Sequence, residues 1–379
     1  NSGTDVALRA ASDVLFQTGN VNAARTASIE AANGSIIDAN GPGVDVNATN
    51  FVGVANGDIG TNAGPLQLTV SNIAAQANTG SVVVNDTTGS MTVTNLTTIK
   101  GTNNVTGVSA GTNVCLETAG ALDVNSTVTA ANTAILRAGG DINLQGTVTG
   151  PQKVSLESTN GSINDANGAN VNLVGNDVVV SGAQVGNGDA LEINANNFAG
   201  RATAGNLNVV DLTGNLTTAN LTLEKSNTPI NGASATGDVC LDVANGTLNI
   251  NSNVSAGNNA ALRAANDINL NGSVNAGQTA SLEATNGSIR DNGDAAVDVN
   301  ATNFVATAGG NVGSQADGLE VTVSNIAARA NTGSVVVNDT TGGMTVTNLT
   351  TVKGANNVTG VSAGTNVCLE TAGALDVNS

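Results

Sequence analysis

Residues 134–149 read AILRAGGDINLQGTVT, and this stretch decides the fold. A short apolar segment around Leu136 is followed by a Gly-Gly turn, a second segment ending at Leu144 and a third at Val148. Period-two alternation broken by Gly, Asn and Asp is typical of short strands joined by tight turns. The pattern returns after about 20 to 21 residues, a period that indicates a solenoid. No segment of the chain sustains a helical period.

Six equivalent segments mark turns of this solenoid, each with one large apolar side chain between two outward positions: residues 7–10, 28–31, 135–138, 155–158, 261–264 and 281–284. Three short strands per turn, stacked in parallel, give an all-β parallel β-helix. Val, Leu, Ile and Ala suit its narrow interior, and Asn and Thr suit corners where like residues stack in ladders. We therefore predict one continuous β-helix over residues 1–379. Disorder is the alternative for so simple a composition, but 40% hydrophobic residues at regular spacing argue against it.

Charged residues at outward positions support this register. Stacking the turns places opposite charges on adjacent turns, in the columns Glu117–Arg137–Glu157 and Asp242–Arg263–Glu283, with Arg9 beside Glu30 and Glu370 starting a further column. Cross-strand neighbours of opposite sign attract, although each exposed pair contributes well under about 1 kcal/mol. We use these columns as evidence of register and not as evidence of a carboxylate active site.

A longer repeat divides the chain into super-repeats of approximately 1–126, 127–253 and 254–379. Each carries one cysteine in a matching phrase, at Cys115, Cys240 and Cys368. Residues 66–126 and 319–379 differ at only six positions, namely Gln67/Glu320, Leu68/Val321, Gln76/Arg329, Ser90/Gly343, Ile99/Val352 and Thr102/Ala355. The middle copy is related but diverged. This A-B-A pattern indicates duplication of a block, and we expect the chain to be an interior piece of a longer array.

The turns resemble those of filamentous-haemagglutinin-type adhesins, the large exoproteins of bacterial two-partner secretion. The resembling phrases are LRAGGDINL at 136–144, LESTNGSI at 156–163, LRAANDINL at 262–270 and LEATNGSI at 282–289. The resemblance implies a right-handed parallel β-helix, secretion, and a fibre at the cell surface. It also implies adhesion to host or neighbouring cells or to like fibres. The family's amino-terminal secretion domain and an Arg-Gly-Asp motif are absent from this sequence, so the implied role is that of the stalk.

We therefore expect the structural shaft of a secreted bacterial adhesin or cell-surface fibre. The alternative is a self-assembling extracellular filament or sheath subunit, in which the solenoid itself is the material. Open solenoid ends expose strand edges that can add further strands, so self-association is possible. Electron microscopy of native material separates the two: single fibres anchored at cells, or ordered multi-chain filaments.

Composition argues against several other classes. The formal net charge is −18, with 11 Lys and Arg, which disfavours nucleic acid and anionic membranes as partners. No apolar run approaches the roughly 20 residues of a membrane-spanning helix. Parallel β-helices also include carbohydrate-active enzymes, but His, Tyr and Trp are absent here and Asp residues are scattered at turns. We expect no enzyme, no cofactor and no metal, with calcium at turn Asp and Asn residues the weaker reading.

The three cysteines cannot easily pair within one chain. About six turns separate successive copies, or about 30 Å by strand spacing, which is beyond disulfide reach. If Leu116 points inward, Cys115 shares the outward side with Glu117. The simpler interpretation is a partly covered thiol that acts as a small hydrophobe. The alternative is that Cys115, Cys240 and Cys368 form interchain contacts, as lateral disulfides in a bundle.

Overall fold

Every regular element in the computed structural model, which describes residues 3–379, is a β-strand. A helix able to cross a bilayer is accordingly not found in this range. Clustering of contacts divides the chain into two compact units. The first runs up to Ala183 and includes Leu223–Thr228, and the second comprises Gln184–Thr222 and Pro229–Ser379. That residues 1–379 form one continuous β-helix stays a prediction, as does its right-handedness.

The strands up to Ala183 are β1 Asp5–Ala10, β2 Val14–Phe16, β3 Val21–Asn22, β4 Thr26–Ala31, β5 Ile36–Asp38, β6 Val46–Asn47, β7 Asn50–Ala55, β8 Leu66–Thr69, β9 Asn72–Ala77, β10 Val82–Asp86, β11 Met91–Val93, β12 Asn95–Thr97, β13 Asn104–Thr106, β14 Val108–Ala110, β15 Val114–Thr118, β16 Leu122–Val124, β17 Val128–Ala130, β18 Thr133–Ala138, β19 Ile142–Leu144, β20 Val148–Thr149, β21 Lys153–Ser158, β22 Ile163–Asp165, β23 Leu173–Val174 and β24 Asp177–Gly182.

The remaining strands are β25 Leu191–Asn194, β26 Asn197–Ala202, β27 Leu207–Asp211, β28 Leu216–Thr218, β29 Asn220–Thr222, β30 Pro229–Asn231, β31 Ala233–Ala235, β32 Val239–Val243, β33 Leu248–Ile250, β34 Val254–Ala256, β35 Ala260–Ala264, β36 Ile268–Leu270, β37 Val274–Ala276, β38 Thr279–Ala284, β39 Ile289–Asp291, β40 Val299–Ala308, β41 Leu319–Ala330, β42 Val335–Asp339, β43 Met344–Val346, β44 Asn348–Thr350, β45 Asn357–Thr359, β46 Val361–Ala363, β47 Val367–Thr371 and β48 Leu375–Val377.

Parallel pairing between successive turns confirms the β-solenoid. In the first unit β15, β18 and β21 pair in register, which aligns Leu116, Leu136 and Leu156 in a fully buried column. The second unit repeats this through β32, β35 and β38. The apolar side chains that fill the interior alternate along each strand, as Ile142 and Leu144 do on β19, and this is the alternation that the sequence predicts.

The charge columns also lie as predicted. Glu117 pairs with Arg137, and Arg137 pairs with Glu157, across adjacent strands of the first unit. The second unit aligns Asp242, Arg263 and Glu283 in the same way. Near the start of the chain, β1 aligns Arg9 with Glu30 on β4.

Polar ladders and turn aspartates fix the corners. Amide side chains stack between turns, for example Asn164 Nδ2 on Asn143 Oδ1 at 2.8 Å and Asn269 Nδ2 on Asn249 Oδ1 at 2.8 Å. Asp141 Oδ1 accepts the backbone N–H of Ser162 on the next turn at 2.7 Å. These bonds satisfy groups that the turns leave unpaired, so such aspartates serve structure.

Turn length varies more than the predicted 20 to 21 residues. Val108 pairs with Val128, a step of 20, but Ala75 pairs with Val108, a step of 33. The long step contains an antiparallel hairpin, formed by β12 and β13. Matching hairpins are formed by β29 with β30 and by β44 with β45. We call residues 95–106, 220–231 and 348–359 the first, middle and third hairpins.

Glycine closes each hairpin. Gly107, Gly232 and Gly360 follow the second hairpin strand with φ of 57°, 64° and 57°. A Cβ at Gly107 would lie 2.0 Å from the Thr127 carbonyl oxygen on the next turn. Only glycine therefore combines the left-handed conformation with this close approach, and the chain returns directly from the hairpin into the solenoid.

Candidate functional site

Three outer hairpins are the most distinctive surface feature of the described chain. The first hairpin packs Val105 and Leu96 against Val52 and Ala74, outside the solenoid interior. The third hairpin packs Val358 and Leu349 against Val305 and Ala327 in the second unit. The first and third hairpins thus each add a small second core on the outside of the solenoid.

Each hairpin tip is fixed by the same hydrogen bond to a buried serine. The backbone N–H of Ile99 donates to Ser28 Oγ at 3.1 Å, that of Glu224 to Ser155 Oγ at 3.0 Å, and that of Val352 to Ser281 Oγ at 3.2 Å. The three serines are at most 2% exposed. Sequence alternation places these serines at outward positions. The hairpin covers that outward face, which is why they are buried.

The middle tip also carries two ion pairs within the first unit. Lys225 Nζ lies 2.9 Å from Glu117 Oε2, and Glu224 Oε1 lies 2.6 Å from Lys153 Nζ. Glu117 is on β15 and Lys153 on β21, with β18 between them. The tip therefore ties three stacked strands together from outside. We call this arrangement, a serine-docked tip with its lysine on an acidic residue, the clasp.

The third tip forms the equivalent clasp in the second unit. Lys353 Nζ lies 3.6 Å from Asp242 Oδ2. Asp242 and Glu117 hold the same place in their super-repeats, two residues after Cys240 and Cys115. The clasp was not predicted from sequence, although its signal was present as a lysine at positions 100, 225 and 353 within hairpins of matching length.

Electrostatics in the middle clasp follow from partial burial. Burial alone raises the pKa of Glu117, but its hydrogen bonds to Lys225 and Arg137 outweigh this and hold the pKa below its usual value. Burial likewise opposes the charge of Lys225, yet the bond to Glu117 leaves the pKa of Lys225 raised. Both groups therefore stay charged at neutral pH.

The three cysteines are free and differ in accessibility. Cys115 is 4% exposed, Cys240 is half-buried and Cys368 is exposed. Burial raises the pKa of the Cys115 thiol, against a smaller lowering by the Lys225 charge. Burial raises the pKa of Cys240 in the same way, with Lys353 opposing it. Interchain contact through these residues remains a prediction, and Cys368 is the thiol most open to it.

An acidic cluster in the second unit was also overlooked in the sequence. One carboxylate oxygen each of Asp291, Asp298 and Glu320 lies within 4.8 Å of the others. Asp298 Oδ2 accepts the backbone N–H of Glu320 at 2.9 Å, and Glu320 Oε2 is buried without a hydrogen bond in the described range. A cavity of about 140 Å³ lies beside it, lined in part by Asp291 and Asp317. The sequence signal for this cluster was the Gln67/Glu320 difference between super-repeats, which places a carboxylate where the first copy has an amide.

This cluster is able to hold protons or a hard cation, since carboxylate oxygens are the ligands such cations take. Burial and the negative charge of Asp291 raise the pKa of Asp298 to about 8. At the equivalent site in the first unit Asp45 has Asp38 and Gln67 as neighbours, and burial raises its pKa to about 6. The cluster therefore brings three carboxylates together, and we assign no bound ion to it.

Each unit also has a shallow outer groove. One, of about 480 Å³, is lined by residues 47–49, 69–71 and 88–90, with Asp86 at its edge. The other, of about 490 Å³, is lined by residues 300–302, 322–324 and 341–343. Small and hydroxyl side chains dominate both linings. Such grooves offer shape and hydrogen-bonding groups to a ligand.

No family model, curated protein or solved structure matches the chain. The likeness to filamentous-haemagglutinin-type adhesins therefore rests on the quoted turns alone. One fold hosts many functions, so function has to be argued from the features of the surface. For this chain those features are the stacked strands, the hairpin clasps and the charges that they bring together.

Proposed function

We propose that the chain is the structural shaft of a secreted bacterial adhesin or cell-surface fibre, located outside the cell. The observation that carries this proposal is the clasp. Lys225 and Glu224 bind strands above and below Arg137, so pulling those strands apart requires breaking contacts outside the solenoid as well as the backbone ladder. A shaft under load needs this kind of reinforcement.

The surface supports a scaffold role in a second way. Polar ladders and turn aspartates use their hydrogen-bonding groups on neighbouring turns. Repeating units of this kind contact mainly their neighbours, so the stack extends without a larger core. The partner in this proposal is a host or neighbouring-cell surface, reached by other parts of the fibre, or a like fibre.

A pulling experiment tests the mechanical part. The 379-residue chain is stretched between its two ends, and rupture is compared for the native chain and the Lys225→Ala/Lys353→Ala variant. We expect the variant to unfold about two- to fivefold faster at equal force, since surface ion pairs contribute about 0.2–1 kcal/mol. Lys100→Ala is the matched control, because Lys100 forms no ion pair within residues 3–379. An equal acceleration of unfolding in the Lys100→Ala control would contradict the mechanical role of the clasp.

A localisation experiment tests the biological part. Antibodies against the chain are applied to intact cells that produce it and followed by immunogold electron microscopy. Labelling of single fibres attached to the cell surface is expected. Labelling confined to the cytoplasm would overturn the proposal, and ordered multi-chain filaments would favour the filament-subunit alternative.

A further inference from the structure

In the middle clasp a cysteine shares a column with the serine that docks the hairpin tip. Pairing of β15, β18 and β21 places Cys115 and Ser155 in one outward column, two strands apart. The backbone N–H of Glu224 donates to Ser155 Oγ at 3.0 Å. The next residue is Lys225, and its Nζ lies 2.9 Å from Glu117 Oε2 on β15. Because Cys115 and Glu117 are two residues apart on this strand, their side chains leave the same face, and Lys225 reaches that face.

The third clasp repeats this arrangement in the second unit. Pairing of β32, β35 and β38 places Cys240 and Ser281 in one column, again two strands apart. The backbone N–H of Val352 donates to Ser281 Oγ at 3.2 Å. Lys353 Nζ lies 3.6 Å from Asp242 Oδ2, two residues beyond the cysteine. Two separate hairpins therefore each bring a lysine to the strand face that carries a cysteine and an acid.

The thiol and the ammonium group affect each other's protonation in both clasps. Burial raises the pKa of Cys115, and the Lys225 charge opposes this rise. Burial opposes the charge of Lys225, while the bond to Glu117 and the Cys115 thiol raise its pKa. Lys353 opposes the raised pKa of Cys240 in the same way. Cys115 is 4% exposed although it faces outward, because the tip covers it. Its neighbouring reactive group is therefore an amine of the same chain.

The sequence concentrates these two rare residue types at the clasps. The chain has three cysteines and four lysines, and three of the lysines lie at hairpin tips. The middle super-repeat has diverged from the other two, yet it has both Cys240 in the cysteine phrase and Lys225 at the tip. An ion pair accounts for the lysine and the acid. It does not account for a cysteine two residues before the acid in each phrase.

We propose that oxidation joins Cys115 to Lys225, and Cys240 to Lys353, through a single oxygen atom in an N–O–S bridge. Dioxygen is the oxidant. One thiol, one ammonium group and one dioxygen give one S–O–NH linkage, one water and one proton. The S–H bond and two N–H bonds break, one oxygen atom enters the linkage, and the other leaves as water. Sulfur and nitrogen each lose two electrons, and these four electrons reduce the two oxygen atoms.

The bridge would replace an ion pair by a covalent tie between the hairpin tip and the solenoid. Its biological use rests on the shaft proposal, since a covalent tie strengthens the clasp under load. The bond itself follows from the geometry of the cysteine and the lysine. The structure shows the reduced state, in which both thiols are free. An excess of a dithiol reductant should return the bridged chain to that state.

Peptide mapping of the 379-residue chain by mass spectrometry tests the bond. Cys368→Ser is introduced first, because this exposed thiol could form disulfides between chains. The chain is then kept in air, or under nitrogen with dithiothreitol. In air we expect the Cys115 peptide joined to the Lys225 peptide, heavier than their sum by one oxygen atom less two hydrogen atoms. Labelling of Cys115 by iodoacetamide should be lost in air and should return after dithiothreitol.

Exchanging each lysine for arginine provides the matched controls, because arginine keeps the charge and lacks the primary amine. Lys225→Arg should abolish the bridge at Cys115 and leave the bridge at Cys240, and Lys353→Arg should do the reverse. Circular dichroism checks that each variant retains its strands. Three results would each overturn the proposal: no joined peptide in air, a joined peptide lighter by one water, which places the bond on Glu117, or equal loss of Cys115 labelling in Lys225→Arg. Any of them would leave the ion-paired clasp, and with it the shaft proposal, intact.

Discussion

Lys225 Nζ lies 2.9 Å from Glu117 Oε2, although the two residues come from different super-repeats. The contact exists because the hairpin tip, residues 223–228, belongs to the first unit and lies against β15 there. A solenoid whose turns touch only adjacent turns thereby gains a longer-range tie. The same relation holds between Lys353 and Asp242 at 3.6 Å. The long repeat therefore has a structural role, since one super-repeat supplies the tip and the preceding one supplies the acid.

Thiol reactivity should report whether the middle clasp is closed. Ser155→Ala removes the acceptor for the Glu224 N–H, and leaving a buried donor unpaired costs about 1–3 kcal/mol. The tip should then open more often, and labelling of Cys115 by iodoacetamide should accelerate about tenfold. Ser28→Ala is the matched control, because it loosens the first hairpin and should leave Cys115 unchanged. Mass spectrometry of labelled peptides measures both rates, and equal acceleration by the two variants would contradict the clasp.

The second cores beneath the first and third hairpins should contribute equally to hairpin stability. Val358→Ala removes two methyl groups from the cluster with Val305 and Ala327, which should destabilise the third hairpin by about 1.5 kcal/mol. Val105→Ala should have the same effect on the first hairpin. Hydrogen exchange of the hairpin amides measures each loss separately. Protection unchanged in either variant would show that the hairpin does not depend on this packing.

The solenoid was predictable because its signal is local and repeated. Alternation around Leu136 and Leu156 fixes which residues point inward, and the Arg137 column fixes the register between turns. Both patterns arise from residues that lie on the same strand or on adjacent strands. A single sequence is enough to read them, and the structure confirms both.

The clasp was not predicted because its partners lie far apart along the chain. The Asn95-Leu96-Thr97 segment has the same alternation as a solenoid strand, although it forms one arm of an antiparallel hairpin. The alternation therefore does not distinguish a hairpin arm outside the coil from a strand of the solenoid. The acidic cluster was overlooked for the same reason, since β39, which carries Asp291, and β41, which carries Glu320, meet only after folding.

Backbone strain at the hairpin tips offers a route to greater stability. Ala355 has φ of 48°, a left-handed conformation that is unfavourable for alanine by about 1–2 kcal/mol. The middle hairpin has Asn227 at the matching position, with φ of 53°. Ala355→Asn should therefore stabilise the third hairpin by about 0.5–1 kcal/mol, because asparagine tolerates this region. Ala363→Gly, in an ordinary strand, is the contrasting control and should destabilise. Hydrogen exchange of the amides in the third hairpin measures whether the stability of this hairpin rises or stays the same.

Stability should fall as pH rises from about 4 to 8. Burial raises the pKa of Asp45 to about 6, that of Asp211 to about 7 and, with the charge of Asp291, that of Asp298 to about 8. An unfolded aspartate has a pKa of about 3.9, so between these values the folded chain holds protons that the unfolded chain has lost. The stabilisation that each protonated aspartate contributes is fully present below about pH 4. It is lost as the pH rises through the pKa that this aspartate has in the folded chain.

Substitution of Asp298 tests this assignment. Asp298→Asn imitates the protonated form: its amide oxygen accepts the Glu320 N–H and its amino group faces Asp291. We expect the free energy of unfolding of the variant to be close to that of the native chain at pH 5. At pH 8.5 it should exceed that of the native chain by about 1–3 kcal/mol. Asp45→Asn is the matched control from the first unit. It should reduce the pH dependence of the free energy of unfolding only up to about pH 6. Urea unfolding across this pH range measures both curves. If Asp298→Asn were less stable at pH 8.5 than at pH 5 by as much as the native chain, the shifted group would lie elsewhere.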